Sequence, residues 1–365
     1  MNPPRGVAGR KTIYMTETTE TTQTIDLATG VTDIISLIDQ EREREIVTRR
    51  FGLYERRETL EQIGELLGIT RERVRQLEKA ILVRLKSAAE KGETDVIGQL
   101  EKAFIRTLSE MGRAARVQDL ADKLYGRTTN LQERAHVAFI ATLAPNLTVL
   151  DENDSYHQAV AHSDYGDQKK LKSRVDEIVT TIKTGRVPRT VDQLFDTLSY
   201  EHPSQVAALA SISKLLAHLK DTWGLAKWPT VNPKNIRDKI YVVLADNGKP
   251  MHFSDIADAI KDSSFKRKDV TTQAIHNELI KDKRFVLIGR GIYALDTWGY
   301  KKGTVSDIIV HVLEEAGEPL HRDEIVKRVL DSRQVKETTI LLNLQSKPQF
   351  KRVAKATYKL ADVAA

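Results

Sequence analysis

A mainly α-helical chain is predicted, a helix-turn-helix domain followed by tandem winged-helix domains. Three observations predict it. Two apolar-striped segments, 60–67 and 74–85, flank Gly68 and a short turn. Beyond residue 90 one pattern recurs four times: an apolar helix, a glycine turn, two further helices and short alternating strands. The composition, 40% hydrophobic and 30% charged over 365 residues, is that of soluble globular domains and allows two to four of them.

The elements of the first domain follow in order. Ile46, Val47, Phe51 and Leu53 close a supporting helix that ends at Gly52. Thr59 is the expected N-cap of the next helix, which sets Leu60, Ile63, Leu66 and Leu67 on one face. Gly68 supplies the turn, because a residue without Cβ accepts positive φ. Thr70 caps the following helix, but the box position holds Arg73 rather than an acid, so no full capping box is expected. Val74, Leu77, Ile81 and Leu85 form the inward stripe and leave Arg71, Arg75, Gln76 and Lys79 outward. In such a pair the start of the second helix enters the major groove. Arg71, Glu72, Arg75 and Gln76 stand there, and these side chains match guanine, cytosine and adenine edges. Double-stranded DNA, discriminated by sequence, is the expected partner. The competing reading is a merely solvated face, since basic and acidic residues nearly balance over 37–86.

The strings RRFGL at 49–53 and TLEQIGELLGITRERVRQLEKAILVRL at 59–85, with RERE before them, resemble region four of the sigma-70 family of transcription initiation factors. The resemblance spans residues 37–87. It implies that Arg71, Glu72, Arg75 and Gln76 read the upstream core-promoter element and that Arg42, Arg50 and Thr59 hold phosphates. Arg73 and Lys79 complete the candidate phosphate contacts. The resemblance also implies docking on the flap of the RNA polymerase core. Ala80 departs from the family, where a basic residue is frequent, and implies a weaker or shifted grip. Complete family members carry an aromatic-rich helical domain that captures the melted strand. Residues 1–36 are too short for one and no aromatic cluster follows, so the chain is expected not to open a promoter alone.

The four later turns read GRAARVQDLADKL at 112–124, GRVPRTVDQLFDTL at 185–198, GKPMHFSDIADAI at 248–260 and GEPLHRDEIVKRV at 317–329. The third copy is fullest: Ile236, Ile240, Val243 and Leu244 in helix one, Ser254 capping helix two, Thr271 opening helix three, and strands 285–288 and 292–295 around Gly289-Arg290-Gly291. Three helices and a hairpin make a winged helix. The fourth copy pairs 350–353 with 357–360, and the first has its hairpin near 147–150. These copies resemble the HARE-type winged helix found in the delta subunit of bacterial RNA polymerase, most strongly over 234–300. Such domains support DNA or protein contacts, so fold does not fix function. Gln273 and Asn277 on the third helix, Arg290 at its wing tip, and Lys351, Arg352 and Lys355 near the last wing are candidate secondary DNA contacts. The expected modules are a disordered tail at 1–30, the helix-turn-helix at 31–90, a degenerate winged helix with an acidic linker at 94–160, and winged helices at 170–230, 234–300 and 303–361.

The net charge is +6. Residues 1–230 carry 33 basic and 33 acidic side chains and residues 231–365 carry 24 and 18, so the excess lies in the last two repeats. There is no cysteine, which excludes disulfides and thiolate metal sites and fits a reducing cytoplasm, bacterial and nucleoid-associated on this reading. The first residues lack an apolar signal core, and Met15 is an alternative start. The stretch 151–167, with His157 and His162, lacks the glycine of a calcium loop and reads as a linker. Trp223, Trp228 and Trp298 are expected to pack at repeat ends, and His252 and His321, at equivalent positions, to pack or cap. No phosphate-cradling loop or nucleophile elbow is found, so no enzyme, cofactor or metal site is expected. Three functions compete: a sequence-specific transcription regulator acting with RNA polymerase, a polymerase-associated adapter, and the DNA-targeting subunit of a nuclease or modification system.

Overall fold

The computed structural model describes residues 26–265 and 267–361. They are mostly helical with small antiparallel sheets, as expected from the sequence. They form two compact units, 26–108 with 117–149, and 109–116 with 150–361. Of the tail predicted at 1–30, residues 1–25 lie outside the described residues. A helix already begins at Leu27, because the Asp26 carboxylate accepts the amides of Ala28 and Thr29 at 3.1 and 3.2 Å.

The first unit holds α1 (Leu27–Ser36), α2 (Glu41–Phe51), α3 (Leu60–Leu67) and α4 (Arg71–Glu90), then most of α5 (Asp95–Glu110), and, after β1 (Ala114–Arg116) of the other unit, α6 (Val117–Tyr125) and α7 (Leu131–Leu143). The predicted boundary near residue 90 does not separate two cores. Helix α7 packs against α1, α2 and α4. It is apolar nearly all round, with residues 137–141 and Leu143 buried, and such a helix must be covered on more than one side. Phe139 meets Phe51 edge to face at 5.0 Å between ring centres. The buried His136 ring reaches the Leu53 carbonyl through Nε2 at 2.8 Å. Gly30 is required on α1, since a Cβ there would lie 2.8 Å from the Leu100 side chain.

After β2 (Leu147–Leu150), the second unit opens with β3 (Ala159–His162), which pairs antiparallel with β1, Ala114 opposite Ala161. This overturns the acidic-linker reading. Ala159, Val160 and Ala161 are fully buried, the Tyr156 hydroxyl donates to Asp176 at 2.6 Å, and the His157 amide donates to the Ile212 carbonyl at 2.8 Å. A buried run of three small residues is too short to stand out beside the acids that precede it.

Three winged helices follow. The second copy is α8 (Gln168–Gly185), β4 (Arg189–Thr190), α9 (Val191–Phe195), α10 (Pro203–Ile212), β5 (Leu216–Leu219) and β6 (Thr222–Leu225). The third is α11 (Ile236–Asn247), β7 (Met251–His252), α12 (Phe253–Asp262), α13 (Thr272–Lys281), β8 (Phe285–Gly289) and β9 (Ile292–Leu295). The fourth is α14 (Val305–Ala316), β10 (Leu320–His321), α15 (Arg322–Ser332), α16 (Glu337–Ser346), β11 (Phe350–Ala354) and β12 (Thr357–Leu360). Their sheets run β4-β6-β5, β7-β9-β8 and β10-β12-β11. The first strand of each has two residues, too few for an alternation to show in the sequence.

That short strand leads straight into helix two, and the cap differs from the prediction. His252, not Ser254, is the N-cap of α12: its Nδ1 accepts the Ser254 amide at 3.3 Å and lies 2.7 Å from the Ser254 hydroxyl. His321 caps α15 in the same way, accepting the Asp323 amide at 3.4 Å. The shared capping role of these histidines is thus present, while Thr271 caps α13 as predicted.

The copies are not beads on a string. Leu219, at the end of the second wing, packs on the third core, and Lys220 pairs with Asp246 at 2.6 Å. The third wing has two apolar faces. Phe285, Tyr293 and Leu295 join the core of their own repeat, whereas Val286, Ile288 and Ala294 form a separate cluster with Ile292, Trp298 and Tyr300. Against that wing lies the fourth repeat: the Gln334 amide donates to the Ile288 carbonyl at 2.9 Å, and a Cβ on Gly289 would sit 2.7 Å from the Gln334 carbonyl oxygen.

Candidate nucleic-acid interface

Helices α3 and α4 are held by a small core of Ile46, Ile63 and Val74, with Leu60, Leu67, Ile69 and Leu77 around it. Leu66, predicted on the inner face, is exposed; Gly64 takes the buried position. A side chain could not fit there, because a Cβ on Gly64 would lie 2.7 Å from the Ile69 carbonyl oxygen. Gly68 ends α3 at φ 65°. Thr59 and Gln62 form a full capping box at the start of α3. Thr70 caps α4 by accepting the Arg73 amide at 3.2 Å, with no reciprocal bond, as the sequence implies. Val74, Ile81 and Leu85 are buried on the inward face.

The opposite face of α4 brings the predicted reading residues together. Arg71, Glu72, Arg75 and Gln76 are all exposed, and at helical spacing they share one face with Lys79. The Arg71 and Arg75 side chains are 68% and 55% exposed, so both guanidinium groups are accessible to a groove. They are linked before any ligand arrives. Arg75 donates two hydrogen bonds to Glu72, at 2.8 and 2.7 Å, and Gln76 donates to the same carboxylate at 3.4 Å. Arg73 donates to Gln76 at 3.4 Å, and Arg71 pairs with Glu61 of α3 at 2.8 Å. The Arg75 bonds hold the Glu72 carboxyl below the usual glutamate value and raise the Arg75 guanidinium. Glu72 thus aims both a candidate guanine reader and a candidate adenine reader.

The candidate phosphate contacts divide. Arg73 and Lys79 are exposed on α4. Thr59 is exposed, but its hydroxyl is already the α3 cap. Arg42 is exposed and donates to the Leu67 carbonyl at 2.7 Å, closing the C-terminal end of α3. Arg50 is different. Its side chain is only 24% exposed, faces a Glu78 that is 16% exposed, and donates to it at 3.2 and 3.3 Å. The structure makes Arg50 a tie between α2 and α4. Sequence reasoning missed this tie and also Arg84–Glu43 at 2.6 Å, because both pairs are far apart in the chain.

In the winged helices, Gln273 and Asn277 are exposed on α13 and bonded to each other at 3.0 Å. Arg290 is exposed at the turn between β8 and β9, and Lys351 and Arg352 are exposed on β11. The three tryptophans pack as expected: Trp223 and Trp228 against the second core, Trp298 between the two clusters of the third repeat. Among the described residues, no group of three or more His, Asp or Glu side chains is placed to hold a metal ion, and no helix is long and apolar enough to cross a membrane.

Residues 40–87 match the family model described as Sigma-70, region 4, a DNA-binding helix-turn-helix. The chain is 42% identical over 69 residues to the RNA polymerase sigma factor RpoS of Coxiella burnetii, which is 19% of this chain and 19% of that protein. It is 48% identical over 58 residues to the RNA polymerase sigma factor RpoD of Helicobacter pylori, 15% of this chain and 9% of the relative. It is 45% identical over 47 residues to the RNA polymerase sigma factor sigB of Arabidopsis thaliana, 13% and 8%. The matched stretch therefore spans at most about a fifth of these relatives. The likeness to sigma factors lies in the helix-turn-helix just described, and there it is a likeness to Sigma-70 region 4.

Proposed function

We propose that this protein is a sequence-specific DNA-binding transcription regulator that works with RNA polymerase and is not a complete initiation factor. One observation carries the reading: the first turns of α4 present Arg71, Glu72, Arg75 and Gln76, all exposed and the last three joined by hydrogen bonds, within the segment that matches Sigma-70 region 4. On this reading these four side chains meet base edges, Arg73, Lys79, Arg42 and Thr59 lie along the backbone, and the polymerase core, through its flap, is the protein partner. The protein acts without catalysis of its own, in a bacterial cytoplasm and on the nucleoid. The order of helices and strands over 234–300 supports kinship of the repeats with the HARE-type winged helix. The packing of Trp223, Trp228 and Trp298 supports the view that they do not capture melted bases.

Selection of bound sequences from a random duplex pool tests this. Enrichment of one motif, lost in Arg71→Ala and Arg75→Ala, is the expected result; binding without enrichment would sink it. A second reading, a polymerase-associated adapter, is favoured by one observation: the outer face of the third wing is used for repeat-to-repeat packing. Co-purification with polymerase in the absence of any enriched motif would select the adapter.

A further inference from the structure

The second and third wings each lend a face to the repeat that follows. Leu219 of the second lies on the third core, and Val286, Ile288 and Ala294 of the third, exposed by at most 1%, lie in the cluster beside the fourth repeat. The two hairpin registers superimpose: Phe285 opposite Leu295 and Val286 opposite Ala294 in one, Phe350 opposite Leu360 and Lys351 opposite Lys359 in the other. The fourth wing therefore carries Lys351, Val353 and Lys359 where the third carries Val286, Ile288 and Ala294. Val353 is 44% exposed and Lys351 is exposed, so this face is not buried among the described residues. Lys355 sits at the turn, at the place of Arg290, with Ala356 in the left-handed conformation at φ 57° where the third copy has Gly291 at 72°.

From residue 338 to residue 361 the charges along the chain are of one sign. Between Glu337 and Asp362 the chain has five basic side chains, Lys347, Lys351, Arg352, Lys355 and Lys359, and no acidic one. Acids make up 51 of the 365 residues, so such a run departs from the chain's habit of mixing signs. Lysines on the face also disfavour stacking a further apolar repeat upon it.

We propose that the outer face of the β11–β12 wing is a second, sequence-independent contact for the phosphate backbone of duplex DNA. The proposal rests on the DNA-binding reading of the first unit but places its contact elsewhere in the chain, away from base readout. A line of lysines holds a polyanion by counterion release and carries no base information. Its signature is therefore salt dependence and not sequence preference.

The test uses the full chain and a duplex lacking any selected motif. Affinity is measured across salt concentrations for wild type, Lys351→Gln/Lys355→Gln and Lys351→Arg/Lys355→Arg. Removing one lysine–phosphate pairing should flatten the slope of log affinity against log salt by about 0.9, so the glutamine pair should flatten it by about 1.8 while the arginine pair keeps it. Arg71→Ala/Arg75→Ala, measured alongside on this duplex and on one carrying the selected motif, should lose motif preference and keep the wing's share of the slope. If that variant changes nothing while the glutamine pair flattens the slope, the base-reading proposal fails and the wing proposal stands. An unchanged slope in the glutamine pair, with the variant folded by circular dichroism, overturns the wing proposal and leaves a face that only aids solubility. Equal flattening in the glutamine and arginine pairs also overturns it. So does transfer of the lysine dependence from DNA to an acidic protein surface.

Discussion

Arg50 illustrates how position in the fold redirects a residue type. Its guanidinium has the chemistry for phosphate, yet it lies mostly covered against Glu78 at 3.2 Å. Removing one partner of such a pair leaves the other poorly solvated, so Arg50→Ala should lower unfolding free energy by about 1–3 kcal/mol. Chemical denaturation checks this; an unchanged midpoint with uniformly weaker DNA binding would return Arg50 to the phosphate contacts. Arg71 and Arg75 are the opposite case, exposed and removable without harm to the core. Their alanine variants should keep the denaturation midpoint and relax preference at one base position by roughly ten- to a hundredfold. Asp282 supplies a pH test. The Arg284 bonds hold its carboxyl below the ordinary value of 3.8, so the folded form favours the carboxylate more than the unfolded chain does. Its stabilisation is present above pH ~3.8 and is lost as pH falls through the folded value. Asp282→Asn should weaken the third repeat at neutral pH and flatten this acid limb, followed by thermal unfolding at several pH values.

At the scale of elements, the angle between α3 and α4 depends on a glycine without left-handed backbone. Gly64 is helical, and only its missing Cβ lets the Ile69 carbonyl approach. Gly64→Ala should force the turn open and cost about 1–3 kcal/mol. It should also reduce DNA affinity, because α4 moves relative to the helix that supports it. Wild-type stability and affinity in that variant would show that the turn adjusts without loss. By contrast, a Cβ on Gly68 would meet nothing within 4 Å, and only its positive φ argues for glycine there.

At the scale of the whole molecule, the modules expected from sequence are joined within each compact unit. In the first, α4 packs against α7, with Ile81 and Leu85 buried on the one and Val137 and Ile140 buried on the other, and His136 bonds to the Leu53 carbonyl. Hydrogen exchange should therefore show protection in 81–85 and 137–140 disappearing together, since contiguous cores open cooperatively. Earlier exchange of α4 alone would restore an independent helix-turn-helix. In the second unit, proteolytic cleavage in 151–170 and near 229–235 should be slow. Residues 159–161 are fully buried in β3, Val231 is buried at 3% exposure, and Asn232 donates to the Ala226 carbonyl at 2.7 Å.

The sequence by itself determined what short-range rules control. The stripe Val74, Ile81 and Leu85, the caps Thr59, Thr70 and Thr271, the left-handed Gly52 and Gly68, and the hairpins of the last two repeats could all be read from spacing and residue type. So could the exposed cluster on α4, because a helical period puts 71, 72, 75 and 76 on one side whatever lies behind. Only the tertiary structure decided the rest. That α7 covers the helix-turn-helix, that Arg50 belongs to Glu78, that 159–161 is a strand and that Gly64 replaces Leu66 at the turn all depend on contacts between residues distant in sequence or on which side of an element a neighbour occupies. Local periodicity specifies a face to be buried, and it carries no information about what buries it.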